Sequence, residues 1–493
     1  MGPADREPTA TTASGEPTAT TASGEPTATT ASGEPTATTA SGEPTATTAS
    51  GEPTQVPPGL AGGGAASARV DHRAKAQASD VQLQAATSVT VGSLGEWVRA
   101  WWVRARSGQA GALPVVIGLV VIALIFQTQD TVFLSARNLT NLFVQGTTYV
   151  LLGMAEVFVL LLGEIDLSVG YVAGVGAVVM AELVGPAYHW PWWAAMLAGA
   201  GATALIGLVN GVIVTLLKIP SFIVTLAGLL GWEGVLLYLV DHAKDANGGT
   251  IPITNNVVFD LVNGTISTGA AWIAGAVLVA LFAVFVLRRD GRRRSSGLAA
   301  PPLGLTVVKI VAVAVAGAAL VAICSANRST VGVLTGVPWV IPATLAVFGL
   351  WTFLLGRTRF GRYIYAIGGN AEAARRAGIS VTWMYIGAFV LASLTSGLAG
   401  IVYASRLGSI SNNIDGGTLV LYAVAAAVIG GASLFGGRGR MIDALLGGVV
   451  IAAIYNGMGI LGMSAAAQYM VTALVLLAAV TIDRLARRGE PGS

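Results

Sequence analysis

Glu164, Asp166 and Ser168 stand at alternate positions in Gly163-Glu-Ile-Asp-Leu-Ser-Val-Gly170, between the apolar runs 142–162 and 171–183. Two carboxylates and a hydroxyl can hydrogen-bond a polar cargo, and at membrane depth they are costly unless they face a protein interior or a water-filled cavity. Flanking glycines let a helix break where its backbone lines such a cavity. The same residues also suit a polar turn at the membrane surface, where acids cost little. Composition alone does not choose between the two. Other polar groups sit inside apolar runs: Glu156, Glu233, Asn210 and Asn456, with Thr225 and Tyr455 nearby in sequence. A buried Asn is more often interhelical glue than a ligand, and a buried Glu can be hydrogen-bonded to a neighbouring helix.

The elements that must position these groups are membrane helices. The chain has 493 residues, of which 54% are hydrophobic and 11% charged, and its mean hydropathy is +0.71. Soluble globular proteins carry about twice that charge. An all-α, polytopic transmembrane bundle follows, with helices long enough to cross ~30 Å of hydrocarbon. The 64 glycines suit helices whose backbones approach closely. Gly170/Gly174 and Gly207/Gly211 are examples of the small-xxx-small pairing that does this. The formal charge of +3 is too small to imply a nucleic-acid partner, and the single cysteine, Cys324, excludes an internal disulfide. His72, His189 and His242 are scattered and make no metal constellation. No cofactor is implied.

Residues 1–107 read as a separate, disordered tail. Glu-Pro-Thr-Ala-Thr-Thr-Ala-Ser-Gly recurs with Glu-Pro at Glu7, Glu16, Glu25, Glu34, Glu43 and Glu52. Such a polar mixture cannot bury a core. Trp97 to Arg106 then mixes tryptophans with arginines, as a membrane-interface anchor does. The transmembrane domain is expected over 108–493.

About twelve apolar runs of spanning length follow, near 113–127, 142–163, 166–185, 192–217, 221–240, 270–287, 305–323, 338–356, 382–403, 418–435, 441–462 and 468–483. A re-entrant segment around Asp166 would lower the count to ten or eleven spans. With alternating direction, the clusters at Arg104/Arg106, Arg288–Arg294, Arg357–Arg362, Arg438/Arg440 and Arg484–Arg488 all fall on one side. The positive-inside rule makes that side the cytoplasm, with both termini inside. Two halves show weak similarity: Asn210-Gly211 against Asn456-Gly457, Val224-Thr225 against Val471-Thr472, and Ile165-Asp166 against Ile414-Asp415. Internal repeats with polar groups at matching positions are a transporter signature.

Between the eighth and ninth runs lies a short capped helix. Asn370 suits the N-cap, Glu372 the positive first turn, Arg375 and Arg376 the negative last turn, and Gly378 the C′ position. A surface-lying helix of this kind suits docking to a partner, although a merely solvated connection has the same signature.

Gly163–Gly170 together with Ala366-Ile-Gly-Gly-Asn-Ala-Glu-Ala-Ala-Arg375 resembles the membrane permeases of ribose/xylose-type ABC sugar importers, and more specifically the D-xylose permeases. Leu134-Ser-Ala-Arg-Asn138, Ile219–Gly228, Arg359–Asn370 and Ser405-Arg-Leu-Gly408 belong to the same resemblance, which runs from about residue 134 to 484. The segment from about 260 to 329 is similar to the longer xylose branch. The resemblance implies that Gly369, Asn370, Glu372, Ala373, Ala374, Arg375 and Gly378 form the helix that couples to a cytoplasmic ATPase. It also places Glu164, Asp166 and Ser168 near the translocation path, and Asn210, Thr225 and Asn456 are plausible lining groups beside them. The implied partners are a cytoplasmic ATP-binding subunit, an extracytoplasmic sugar-binding protein and a second permease copy. The cargo would be a pentose such as D-xylose, moved across the cytoplasmic membrane of a bacterium. No catalysis is expected of this chain, which has no Gly-x-x-x-x-Gly-Lys-Ser/Thr phosphate loop.

Two other functions fit parts of the sequence. A proton-coupled secondary sugar transporter is permitted by twelve spans, two halves and intramembrane acids, but the basic stretch Gly356–Arg362 lacks the acid expected in that class's loop. A membrane-embedded enzyme or scaffold is the third, and no His, Asp or Glu pairs fall in register on neighbouring runs.

Overall fold

The computed structural model describes residues 113–298, 300–329 and 332–487. The repeat tail and the tryptophan–arginine segment lie outside these residues. Fifteen helices and four short strands are present among the described residues. In chain order the apolar helices are α1 (Leu113–Gln129), α2 (Ala136–Leu160), α3 (Val169–Val184), α4 (Trp192–Leu216) and α5 (Ser221–His242). After β1 (Thr250–Pro252), the short helix α6 (Asn256–Asn263) and β2 (Thr265–Ile266) come α7 (Thr268–Ser295) and α8 (Leu303–Ser325). Then follow β3 (Val337–Pro338), α9 (Val340–Arg357), α10 (Arg359–Gly369), α11 (Ala371–Arg376) and α12 (Val381–Leu407). The chain ends with β4 (Ser409–Ser411), α13 (Gly416–Gly430), α14 (Met441–Ile460) and α15 (Ala465–Arg487).

Among the described residues, eight helices are long and apolar enough to cross a membrane, and α1, α3, α13 and the first part of α15 are shorter apolar helices. Each of the twelve apolar runs in the sequence corresponds to one of these. At 1.5 Å per residue, the 16 residues of α3 reach about 24 Å, short of the ~30 Å hydrocarbon layer. α3 tolerates this because its neighbours, not lipid, surround it; Val169, Val172, Ala177 and Met180 are fully buried.

The bundle is built around α2, whose apolar stretch is 89% buried, against 11% for α7 and for α8. Small residues set the closest approaches. A Cβ on Gly211 would come within 2.8 Å of the Ile386 backbone, and one on Gly207 would meet the Phe389 carbonyl carbon at the same distance. The Gly207/Gly211 pair is therefore the seam between α4 and α12. The Ser396 hydroxyl of α12 donates to the Val169 carbonyl, tying α12 to the start of α3.

One end of the bundle carries two small antiparallel ladders that an all-helical expectation omits. β1 pairs with β4 and β2 with β3. The strands are two or three residues long, too short for a period-2 pattern to show in the sequence. The loops after α2, α10 and α13 meet at the other end, where the arginine-bearing connections also lie.

Candidate functional site

α2 stops at Leu160, and Gly163 turns the chain with φ +81°, a conformation that side chains disfavour. The resulting turn, 161–168, is fastened on two sides. The Gly437 amide donates to the Leu161 carbonyl at 2.9 Å. Gly368, near the end of α10, lies so close that a Cβ there would strike the same carbonyl. The Tyr365 hydroxyl adds a 2.6 Å bond to the Gly439 carbonyl. Three connections thus form one junction, and the polar stretch belongs to it. Glu164, Asp166 and Ser168 lie in a turn at the C-terminal end of α2, in which Asp166 and Ser168 are buried and Glu164 is half-buried.

Within the turn the polar groups are chained together. One Asp166 oxygen accepts the Ser168 amide at 2.9 Å and the Ser168 hydroxyl at 2.5 Å. The Asn210 side-chain amide, on α4, donates to the Ser168 hydroxyl at 3.2 Å. Asp166 and Ser168 are fully buried and Asn210 nearly so. The other Asp166 oxygen has no hydrogen-bond partner among the described residues. Glu164 accepts from the Ser221 hydroxyl at the start of α5. The Tyr385 hydroxyl, on α12, also faces Glu164, and Arg375 is its charged neighbour. Thr225 donates to the Ser221 carbonyl at 2.9 Å and leans toward the Ile165 carbonyl at 3.3 Å. Glu156, fully buried on α2, is an electrostatic neighbour of Asp166. Five of the six expected path residues therefore converge on one turn.

Asn456 does not join them. Its side-chain oxygen accepts from Asn138 at 2.8 Å, and Asn138 also donates to the Phe133 carbonyl near the start of α2. That amide pair staples α14 to α2 at the opposite end. The sequence offered no way to tell which amide met which helix.

The short helix α11 has the caps expected of it. Asn370 accepts the Ala373 amide at 2.9 Å, and Gly378 takes φ +81° just past the end. Glu372 is bonded to Arg375 at 3.1 Å and to Arg376 at 3.2 Å. Ala374 points inward while Glu372, Ala373, Arg375 and Gly378 are exposed. Nothing lies near where a Cβ of Gly369 would be. The helix is thus anchored on one face and open on the other, directly after the Gly368–Leu161 contact.

A second polar region was missed. A groove of about 720 Å³ runs between α13 and α15, lined by Asp415, Thr418, Tyr422, Tyr469 and Thr472 among others. Asp415 caps α13 by accepting the Thr418 amide at 2.9 Å, and the Tyr469 hydroxyl donates to it at 3.0 Å. Behind the groove, Tyr149, Tyr422 and Tyr455 pack edge to face with centroids 5.3–6.0 Å apart. The match between Ile165-Asp166 and Ile414-Asp415 was the available signal. Both aspartates bond a hydroxyl residue at the start of the next helix, but at opposite ends of the bundle.

A family model described as "Branched-chain amino acid transport system / permease component" matches residues 138–480. The chain belongs to this family. Among curated proteins, the xylose transport system permease protein of Escherichia coli is 34% identical over 377 residues, 76% of this chain and 92% of its own length. The D-allose transport system permease protein of Escherichia coli is 30% identical, covering 74% of this chain and 89% of its own. The ribose import permease protein of the same organism is 30% identical over 80% of this chain and 98% of its own. No solved structure matches. The resemblance carried by Gly163–Gly170 and Ala366–Arg375 thus leads to the same group of proteins. They are named as permeases, in keeping with a transport subunit rather than an enzyme.

Proposed function

We propose that this permease is the membrane subunit of an ATP-binding-cassette importer for a sugar, with a pentose such as D-xylose as cargo. The anchored but outward-open helix α11, joined through Gly368 to the turn at the end of α2, carries this proposal. A partner ATPase that grips α11 at Glu372 and Arg375 would move α10, and the Gly368–Leu161 contact would pass that displacement to α2 and α13. Packed helices that switch between two arrangements convert such a push into alternating access. Nucleotide binding on the partner supplies the differential affinity that shifts the population.

A second permease copy would complete the path. Glu164, Asp166, Ser168, Asn210 and Thr225 would line or brace its cytoplasmic mouth. The Asp415–Tyr422–Tyr469 groove offers the carboxylate, hydroxyls and aromatic walls that a polyhydroxylated cargo needs. An extracytoplasmic binding protein would deliver the sugar, and both termini would be cytoplasmic, on the side of the arginine clusters.

The test is co-purification of the full-length permease with its ATPase, wild type against Glu372→Lys, with xylose uptake followed in the same cells. Uptake is also measured with a protonophore while ATP is maintained. The expected result is loss of both ATPase binding and uptake in the variant, and protonophore-resistant uptake in the wild type. Uptake that survives Glu372→Lys and collapses with the proton gradient would instead establish a proton-coupled carrier. Uptake of allose or ribose in place of xylose would move the substrate and leave the coupling intact.

A further inference from the structure

The arginine-bearing end of α7 makes no use of most of its charge. Leu281, Phe285, Arg288 and Arg292 recur at three- and four-residue intervals, so they share one face of the helix. That face forms one wall of a cavity of about 590 Å³, with Arg293 and Arg357, the last residue of α9, completing its rim. The floor is apolar: Leu281, Val284 and Phe285 are all exposed, and the Arg357 guanidinium sits 5.9 Å from the Phe285 ring centroid.

The charge in this cavity is unbalanced. Asp290 is the acid on this turn, and it is buried, bonded to Arg289 at 2.9 Å and to the Thr306 hydroxyl at 2.8 Å. Arg288, Arg292, Arg293 and Arg357 have no acidic partner among the described residues. Four guanidinium groups around one hollow repel one another unless an anion enters, and their planar forks match phosphate oxygens. A free phosphate would satisfy the rim and leave the Leu281–Phe285 floor facing water. An anionic phospholipid satisfies both. α7 is suited to present it, since its apolar surface is mostly uncovered by protein.

We propose that this cavity binds the headgroup phosphate of an anionic phospholipid. Its acyl chain lies over Leu281, Val284 and Phe285, in the leaflet at the arginine-bearing end.

The test uses the full-length permease in nanodiscs of phosphatidylcholine containing a minor fraction of phosphatidylglycerol. After detergent extraction, retained lipids are counted per permease by mass spectrometry, for wild type, for Arg288→Gln/Arg292→Gln/Arg357→Gln and for the same three positions changed to Lys. Wild type should enrich phosphatidylglycerol over its bulk fraction, and the Gln variant should lose that enrichment by roughly tenfold or more. The Lys variant should fall between them, since it keeps the charge and loses the fork. Thermal unfolding in phosphatidylcholine alone should be no lower for either variant than for wild type, since the Gln changes relieve repulsion there. If the triple variant does not fold, the exposed single change Arg292→Gln carries the test, with an expected loss of roughly threefold. Equal phosphatidylglycerol retention in wild type and Gln variant overturns the proposal. So does absence of phosphatidylglycerol enrichment in a wild type that nonetheless binds inorganic phosphate through the same arginines, which would make free phosphate the ligand. Loss of ATPase co-purification with lipid retention unchanged would assign the arginines to the protein partner instead.

Discussion

Gly368 lies against the carbonyl oxygen of Leu161 with no room for a side chain, and that carbonyl also accepts the Gly437 amide. α11 follows within three residues, so a displacement of its start is felt at this contact.

Gly368→Val should therefore damage the junction. Overpacking of this kind typically costs about 1–3 kcal/mol, here with a backbone oxygen that cannot move aside while Gly437 is bonded to it. We predict a lower unfolding temperature in detergent and a loss of uptake larger than the loss of protein. Wild-type stability and uptake in the variant would show that the contact opens freely.

Asn370→Ala separates stability from coupling in another way. An N-cap replacement costs about 1 kcal/mol, spent on a six-residue helix that has little else to hold its start. We expect α11 to fray, ATPase co-purification to weaken and the unfolding temperature of the bundle to stay nearly constant. Asn370→Asp, which retains the cap, should restore binding. By contrast Glu372 pairs with its arginines at the exposed surface, where ion pairs contribute about 0–1 kcal/mol. Its loss should be felt in partner binding only.

Asn138 and Asn456 should behave as a structural pair. Removing Asn138 leaves the Asn456 side-chain oxygen buried without its donor, at about 1–3 kcal/mol, and removing Asn456 should cost less because Asn138 keeps the Phe133 carbonyl. The double change to Leu should recover part of the larger cost. Thermal unfolding of Asn138→Leu, Asn456→Leu and the double variant forms the cycle. Additive losses would mean that the two amides act independently.

Asp415 should respond to acid. Burial raises its carboxyl pKa, but the Thr418 hydroxyl and amide and the Tyr469 hydroxyl outweigh burial and hold it below the usual aspartate value. A depressed folded pKa stabilises the folded state above the unfolded pKa, and that contribution is lost as pH falls through the folded value. Asp415→Asn should therefore flatten the acid side of the unfolding-temperature profile, below about pH 4, by lowering the unfolding temperature at neutral pH, where the carboxylate's contribution is fully present, toward its acid value. An unchanged acid limb would remove Asp415 from that account.

The helical architecture was legible because apolar runs of twenty residues have few other uses, and the caps of α11 were legible because Asn370, Glu372, Arg375 and Gly378 are local signals. What joins distant segments was not. Nothing in the local sequence pairs Gly368 with Leu161 or Asn456 with Asn138, since these contacts depend on how helices rotate and lean. Asp166 shows the same limit. Its sequence allowed either an intramembrane break or a surface turn, and the structure combines them: a turn at one end of α2 whose polar groups are covered by Asn210 of α4 and by Ser221 and Thr225 of α5. The small ladders β1–β4 and β2–β3 escaped because two or three residues carry no periodicity. Asp415 was visible as the counterpart of Asp166, but its groove with Tyr422 and Tyr469 needed α13 and α15 side by side.

The α7–α8 hairpin packs mainly on itself, with the flank of α2, β3 and Arg357 as its other neighbours. Its Asp290–Thr306 bond closes it internally. Because it leaves from β2 and returns to β3 at the same face, it crosses the bundle an even number of times. Removing both helices together would therefore leave α11, the Asp415 groove and everything downstream on the sides they occupy now.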